Sequence, residues 1–175
     1  MKKTFLSIFS VLLIVVMSTS TVSAGGNVKL SSATFSLGSL IAQGYASGLG
    51  NTDVTVVLDG SGIPVITCTN NGGNAVPGQS YPKVSAVGQQ NLLGSDPTRK
   101  NGRTAYFTET NDPETLAWDV AGCPSAKWTG HIDFIFWTDA VISVYSTETN
   151  ALLTQQTYTC STTRYPASVS CTLVR

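Results

Sequence analysis

Apolar and polar positions alternate with a period of two in many short stretches of this chain. Val54, Val56 and Leu58 interleave with Asp53, Thr55, Val57 and Asp59, the pattern of a strand with one face buried. Asp59-Gly60-Ser61-Gly62 supplies residues that tolerate positive φ, so the expectation is a tight hairpin turn there. Ile63 to Thr69 then returns as the partner strand, with Cys68 near its end. The Asn-, Gly- and Pro-rich residues 70–82 read as a loop.

The same reading gives one or two opening strands at Val28–Leu30 and Ser39–Tyr45, then strands at Lys83–Gly88 and Arg103–Thr110. Residues 89–102 read as a loop and residues 111–127 as irregular chain, with a short helical turn near Glu114–Trp118. Trp128–Trp137 and Ala140–Ser146 form the strongest predicted β pair, and Leu152–Cys160 and Ser168–Val174 close the chain. About nine short strands without a convincing amphipathic helix predict an all-β fold. The expected form is one antiparallel β-sandwich, immunoglobulin-like or a variant of it.

The N-terminus follows a different rule. Lys2 and Lys3 precede a thirteen-residue apolar run, Phe5–Met17, and a polar stretch ends in Val22-Ser23-Ala24. This is the pattern of a secretory signal peptide over residues 1–24. The run is shorter than the ~18–20 residues of a membrane-spanning helix. No cysteine follows it where a lipoprotein would carry one, so the expectation is an exported, released protein without stable membrane insertion. Removing 24 of the 175 residues leaves 151, enough for a single secreted domain over residues 25–175 with a real core.

The leader carries two of the ten basic residues, which leaves eight against ten acidic ones, a formal charge of −2. With only 11% charged residues, nucleic acid is not an expected partner, because that requires a strong basic patch. The one basic cluster, Arg99-Lys100 with Arg103, sits beside Asp96 and reads as a solvated loop.

Cys68, Cys123, Cys160 and Cys171 make an even count in an exported chain, hence two disulfides with three possible pairings. Cys160 and Cys171 flank a turn-like segment, Ser161–Ala167, and could face each other across a terminal hairpin. Cys68 would then join Cys123; this pairing is favoured, and the other two stay open. In the chain-entropy view the longer loop contributes roughly 4 kcal/mol and the shorter one roughly 3. A zinc site is the rival reading, but there is no Cys-x-x-Cys spacing and His131 is the single histidine.

Strict alternation along Trp128–Trp137 puts Trp128, Ile132, Phe134 and Phe136 on one face, expected to be core. His131, Asp133, Ile135 and Trp137 fall on the other. A His131–Asp133 pair beside Trp137 invites a catalytic reading, yet no nucleophile or second carboxylate accompanies it. The expectation is a half-exposed sheet face and no catalytic residue. The acidic run Glu109–Glu114 with Asp119 offers oxygen ligands of the kind calcium takes, but matches no calcium-loop spacing. No metal or cofactor is expected. Asn70-Asn71-Gly72-Gly73-Asn74 lacks the following helix of a phosphate loop and reads as structural. Flat aromatic rings suit sugar stacking. The ligand-contact candidates are Trp137, His131, Asp133, Tyr81 and Tyr165, with Trp118 and Tyr106 as further aromatics.

The residues Gly48-Leu49-Gly50-Asn51, Cys68-Thr69-Asn70, Gly72-Gly73-Asn74 and Pro77-Gly78-Gln79, followed by Cys123-Pro124 and Trp128-Thr129, carry a resemblance. The stretch 40–160 resembles a group of small secreted microbial proteins, mostly bacterial and without an established activity. The resemblance implies an exported all-β domain and a Cys68–Cys123 bridge, while Cys160 and Cys171 depart from the group's pattern. It transfers no catalytic residue. The functional expectation is a secreted, non-enzymatic module with a structural, adhesive or interaction role outside the cell. Possible partners are a cell-surface polymer, a polysaccharide or copies of itself. The alternative is a carbohydrate-binding module; a small hydrolase or inhibitor ranks below both.

Overall fold

A computed structural model describes residues 27–37 and 39–175; the predicted leader lies outside them. The strands are β1 Lys29–Ser36, β2 Ile41–Ser47, β3 Val54–Asn70, β4 Ala75–Pro77 and β5 Val84–Leu92. They continue with β6 Thr104–Glu109, β7 Thr115–Leu116, β8 Trp128–Ser146, β9 Leu152–Arg164 and β10 Ala167–Leu173. These ten strands form two antiparallel sheets. β1-β2-β6 make the smaller one; the larger runs β10-β9-β8-β3-β4, with β5 also on β3 and β7 also on β8.

The expected hairpin at residues 59–62 does not exist. β3 runs unbroken for 17 residues, and every even position from Val54 to Cys68 is buried. Gly60 and Gly62 serve close approach instead of a turn. A Cβ on Gly60 would lie 2.8 Å from Leu40 Cδ2 and 3.0 Å from the Trp137 ring. One on Gly62 would lie 2.5 Å from the Phe136 carbonyl oxygen. Glycine here lets two elements touch, which is its other use in strands.

The two predicted strands Trp128–Trp137 and Ala140–Ser146 are likewise one, the 19-residue β8. β8 pairs with β3 along the whole length of both, and two irregularities interrupt the register. Val65 faces Phe134 while Ile66 faces Ile132; Ser61 faces Asp139 while Gly62 faces Trp137. Asp133 and Thr138 are therefore extra residues, and each bulge moves the buried set of β8 by one position. Ile132 packs on the core before the first bulge, Ile135 and Trp137 are buried between the two, and Ala140, Ile142 and Val144 are buried after the second. The expected faces hold up to the first bulge, where Trp128 and Ile132 pack inward and His131 and Asp133 are exposed, and are reversed beyond it. Trp137 is 1% exposed, whereas Phe134 and Phe136 are only half-buried, edge-to-face at 5.1 Å.

The β3–β8 ribbon is the spine of the fold. Its first half carries β5 on one side and β9 then β10 on the other; its second half carries β4 and β7. Pro64 is fully buried in the gap between β5 and β4, where that edge of β3 needs no ladder donor. The larger sheet curls toward the smaller one at both margins. At one seam the Asn111 N–H donates to the Val87 carbonyl at 3.1 Å, and a Cβ on Gly88 would overlap the Glu109 carbonyl. At the other, Gln156 Nε2 donates to the Leu30 carbonyl at 3.3 Å, and Phe35 meets Tyr158 edge-on at 4.9 Å.

Leu40, Leu58, Trp137, Ile142 and Val144 lie in the main core between the sheets. A second, smaller cluster of Ile66, Cys68, Ala121 and Cys123 sits where the 117–127 loop covers the far half of the ribbon. That loop makes turns, with Ala121 N–H to the Ala117 carbonyl at 2.9 Å and Cys123 N–H to the Trp118 carbonyl at 2.7 Å. The expected helical segment starts as strand β7.

Both favoured disulfides are present. Cys68–Cys123 ties the loop to β3, and Cys160–Cys171 links directly opposed residues of β9 and β10. Two disulfides and no free thiol fit an oxidising, extracellular-type environment.

Candidate functional site

The five sequence candidates do not converge. Trp137 is core. His131 is exposed on β8 opposite Thr67 and Thr115. Asp133 sits at the first bulge and accepts a hydrogen bond from the Thr67 hydroxyl at 2.6 Å. No hydrogen bond or ion pair joins His131 to Asp133 among the described residues. Tyr81, 77% exposed, lies in the loop before β5, and Tyr165, 84% exposed, lies at the β9–β10 turn. None of the five lines the hollows described below.

The charged and polar loops have local duties. Asp112 accepts from the Thr110 hydroxyl at 2.6 Å, and burial raises its pKa against that bond. Asp119 Oδ1 accepts the Val120 N–H at 2.9 Å. No group of three or more His, Cys, Asp or Glu residues suited to a metal occurs among the described residues. The Asn70 side chain accepts N–H groups of Gly72 and Asn74 at 3.0 and 3.1 Å, which makes 70–74 a self-bonded turn.

Arg99 is not a solvated loop residue. Its guanidinium donates to the carbonyls of Thr52 at 2.8 Å and Leu92 at 3.1 Å, joining two loops. Asp139 holds Lys83 at 2.8 Å and accepts the Thr138 hydroxyl at 2.8 Å. The hydrogen bond from Lys83, then that from Thr138, lowers its pKa.

The outer face of the small sheet presents a different arrangement. Its alternation points Leu30, Ala42, Ala46, Tyr106 and Thr108 inward. The intervening residues Gln43, Tyr45, Ala105 and Phe107 face solvent. Register aligns Thr34, Gln43 and Phe107 in one cross-strand row and Tyr45 with Ala105 in the next. Such opposed side chains lie close together. Tyr45 is 41% exposed and Phe107 51%. Because Ala105 is small, a depression remains beside the Tyr45 ring.

A hollow of about 470 Å³ follows, lined by Ser32, Thr34, Gln43, Tyr45, Gln90 and Phe107 among others. A second, of about 280 Å³, continues past Tyr45 and Ala105 to Thr98, Lys100 and Arg103. Gln90 comes from β5 across the seam, and its Oε1 accepts the Phe107 N–H at 2.7 Å, which blunts the free edge of β6. The Arg103 guanidinium lies over the Tyr45 ring at 4.0 Å, a cation–π contact.

Tyr106, an aromatic candidate from the sequence, is the inward neighbour of Phe107 and only 2% exposed. Burial, then the nearby Tyr158, pushes its hydroxyl pKa well above the usual phenol value. The hydroxyl has no hydrogen-bond partner among the described residues.

Sequence reading therefore missed Tyr45, Phe107, Gln43 and Gln90. The period-2 signal in IAQGYAS and TAYFTE separates each strand into two faces. The pairing that sets Tyr45 beside Ala105 and brings in Gln90 is not local information.

In comparisons with protein-family models, curated proteins and solved structures, nothing matches the chain.

Proposed function

We propose that this protein is a secreted, non-enzymatic binding module whose recognition surface is the outer face of the β1–β2–β6 sheet, and that its ligand is a carbohydrate polymer. The observation that carries the reading is the continuous groove beside Tyr45 and Phe107. The Phe107 ring and the face of Tyr45 not covered by Arg103 offer stacking surfaces, and Gln43, Gln90, Thr34 and Ser32 offer hydrogen bonds to sugar hydroxyls. A shallow site of this kind suits a chain lying across a sheet better than a small molecule enclosed in a pocket. The leader-like first 24 residues, the two disulfides and the motif shared with secreted microbial proteins support export. Kinship with immunoglobulin-like sandwiches belongs to the same proposal.

The test is retention of the oxidised protein on a panel of insoluble polysaccharides and cell walls. Tyr45→Ala is expected to lose at least tenfold in affinity with its unfolding midpoint unchanged, and Phe107→Ala to lose several-fold. Binding that survives both substitutions would move the site elsewhere and sink this reading.

A second reading is self-assembly. Ile63 is 40% exposed beside the half-buried Phe134 and Phe136 on the outer face of the large sheet, an apolar patch of the kind that marks contact surfaces. Sedimentation of the wild type against Phe136→Ser discriminates: a dimer that the substitution dissolves would favour assembly.

A further inference from the structure

We infer that the groove is selective for an acidic polysaccharide, a polyuronate, and that Arg103 reads its carboxylate. This deepens the preceding reading and rests on it.

The two hollows are lined by two cationic side chains, Arg103 and Lys100, and by no carboxylate. That local excess stands out in a chain with equal numbers of acidic and basic residues. Two acids lie near these residues along the chain, and neither lines the hollows. Asp96 accepts the N–H and hydroxyl of Thr98 at 2.8 and 2.7 Å. Those bonds, led by the hydroxyl, lower its pKa. Glu109 faces outward at the far end of β6, two residues beyond Phe107. The groove therefore runs from a cationic end at Arg103 to an uncharged aromatic–amide end at Phe107, about 14 Å along β6 at ~3.4 Å per residue.

Arg103 is also held ready. Its guanidinium carbon lies 4.0 Å from the Tyr45 ring centroid, and neither an ion pair nor a side-chain hydrogen bond engages its N–H groups among the described residues. A guanidinium fixed by stacking, with its donors free, loses less side-chain freedom on binding and can take a carboxylate with two parallel hydrogen bonds. Arg99, four residues away, is the contrast: its two terminal guanidinium nitrogens donate to backbone carbonyls. An uronic-acid unit supplies a carboxylate and a ring in one residue. Its carboxylate would meet Arg103 while the adjoining rings lie along Tyr45 and Phe107, with their hydroxyls toward Gln43 and Gln90.

The experiment compares binding of the oxidised protein to polygalacturonate and to the same polymer with its carboxyls methyl-esterified, at 0.05 and 0.5 M salt (about 14 and 4 Å screening lengths). The expected result is at least tenfold tighter binding to the free acid, lost at high salt. Arg103→Gln is expected to remove that preference and Lys100→Gln to reduce it, both with unfolding midpoints unchanged. Arg103→Lys is expected to restore it only in part. Equal binding of acid and ester, unchanged by Arg103→Gln and lost in Tyr45→Ala, overturns the acid selectivity and leaves the carbohydrate reading standing. Acid-selective binding that persists in Arg103→Gln overturns the role of Arg103. Binding of neither polymer, with a neutral glucan retained, again overturns the selectivity alone. Retention of no polysaccharide at all overturns both readings.

Discussion

Gly62→Ala distinguishes the observed spine from the hairpin that the sequence pattern suggests. In a Gly-rich turn the change would cost about 1 kcal/mol or less. In the observed strand the added methyl lies 2.5 Å from the Phe136 oxygen, 2.8 Å from Ile135 Cγ2 and 2.9 Å from the Phe136 carbonyl carbon. Ordinary contact begins near 3.4 Å, so the backbone of β8 must retreat by about 0.9 Å at the second bulge. Overpacking of this size costs roughly 1–3 kcal/mol, and loosening a ladder hydrogen bond there costs about 1–3 more if its groups go unsatisfied. Stiffening of the unfolded chain returns about 0.4–1. The net expectation is a loss of about 3 kcal/mol, or about 10 °C in midpoint at ~3 °C per kcal/mol for this size. Urea and thermal unfolding of the oxidised protein measure it, with Gly72→Ala as the control. Gly72 lies in a true turn, where the nearest atoms are side-chain atoms of Asn70 and Asn74 at 3.3 and 3.5 Å, and a change within about 1 kcal/mol is expected there. If Gly62→Ala unfolds with Gly72→Ala, the continuous β3–β8 ribbon is wrong at its centre.

Three further outcomes are expected. Trp137→Ala empties a fully buried site and should cost about 3–5 kcal/mol; denaturant unfolding checks this, and an unchanged midpoint would return Trp137 to the surface. Tyr106→Phe removes a buried hydroxyl without a protein partner and should be neutral or stabilising by about 1 kcal/mol. Because burial raises the Tyr106 pKa above its usual value of 10.0, its contribution to stability is intact below pH 10. It is lost as pH rises further, when the unfolded state ionises first. The Phe variant should lose part of the alkaline decline in a pH-resolved unfolding series, and an identical decline would place the effect elsewhere. Replacing Cys68 and Cys123 together with Ser should cost roughly 4 kcal/mol, against roughly 3 for Cys160 with Cys171, in the chain-entropy view. The reverse order in urea unfolding would show that local packing outweighs loop length.

The chain's local pattern indicated the β character, the inward face of Val54, Val56 and Leu58, and two disulfides in an oxidising environment. These follow from nearest-neighbour alternation and an even count of cysteines, whereas the pairing itself was decided by the register that sets Cys160 opposite Cys171 and by the loop that carries Cys123 to Cys68. Tertiary structure decided what glycine and tryptophan are for. Gly60 and Gly62 resemble turn residues in isolation, and only the nearness of Leu40, Trp137 and the Phe136 backbone reveals that they make room. Trp137 has polar-face parity by strict alternation, and only the first bulge against β3, at Asp133, turns it inward. A bulge exists through the mismatch of two strands whose partners at the bulges lie more than 60 residues apart in the chain, so neither strand carries its signal alone. The groove has the same origin. Tyr45, Ala105, Arg103 and Gln90 come from β2, β6, the loop before β6 and β5. Their proximity is a product of register and of the curl that brings the two sheets' edges together, which is non-local free energy and leaves no period in the sequence.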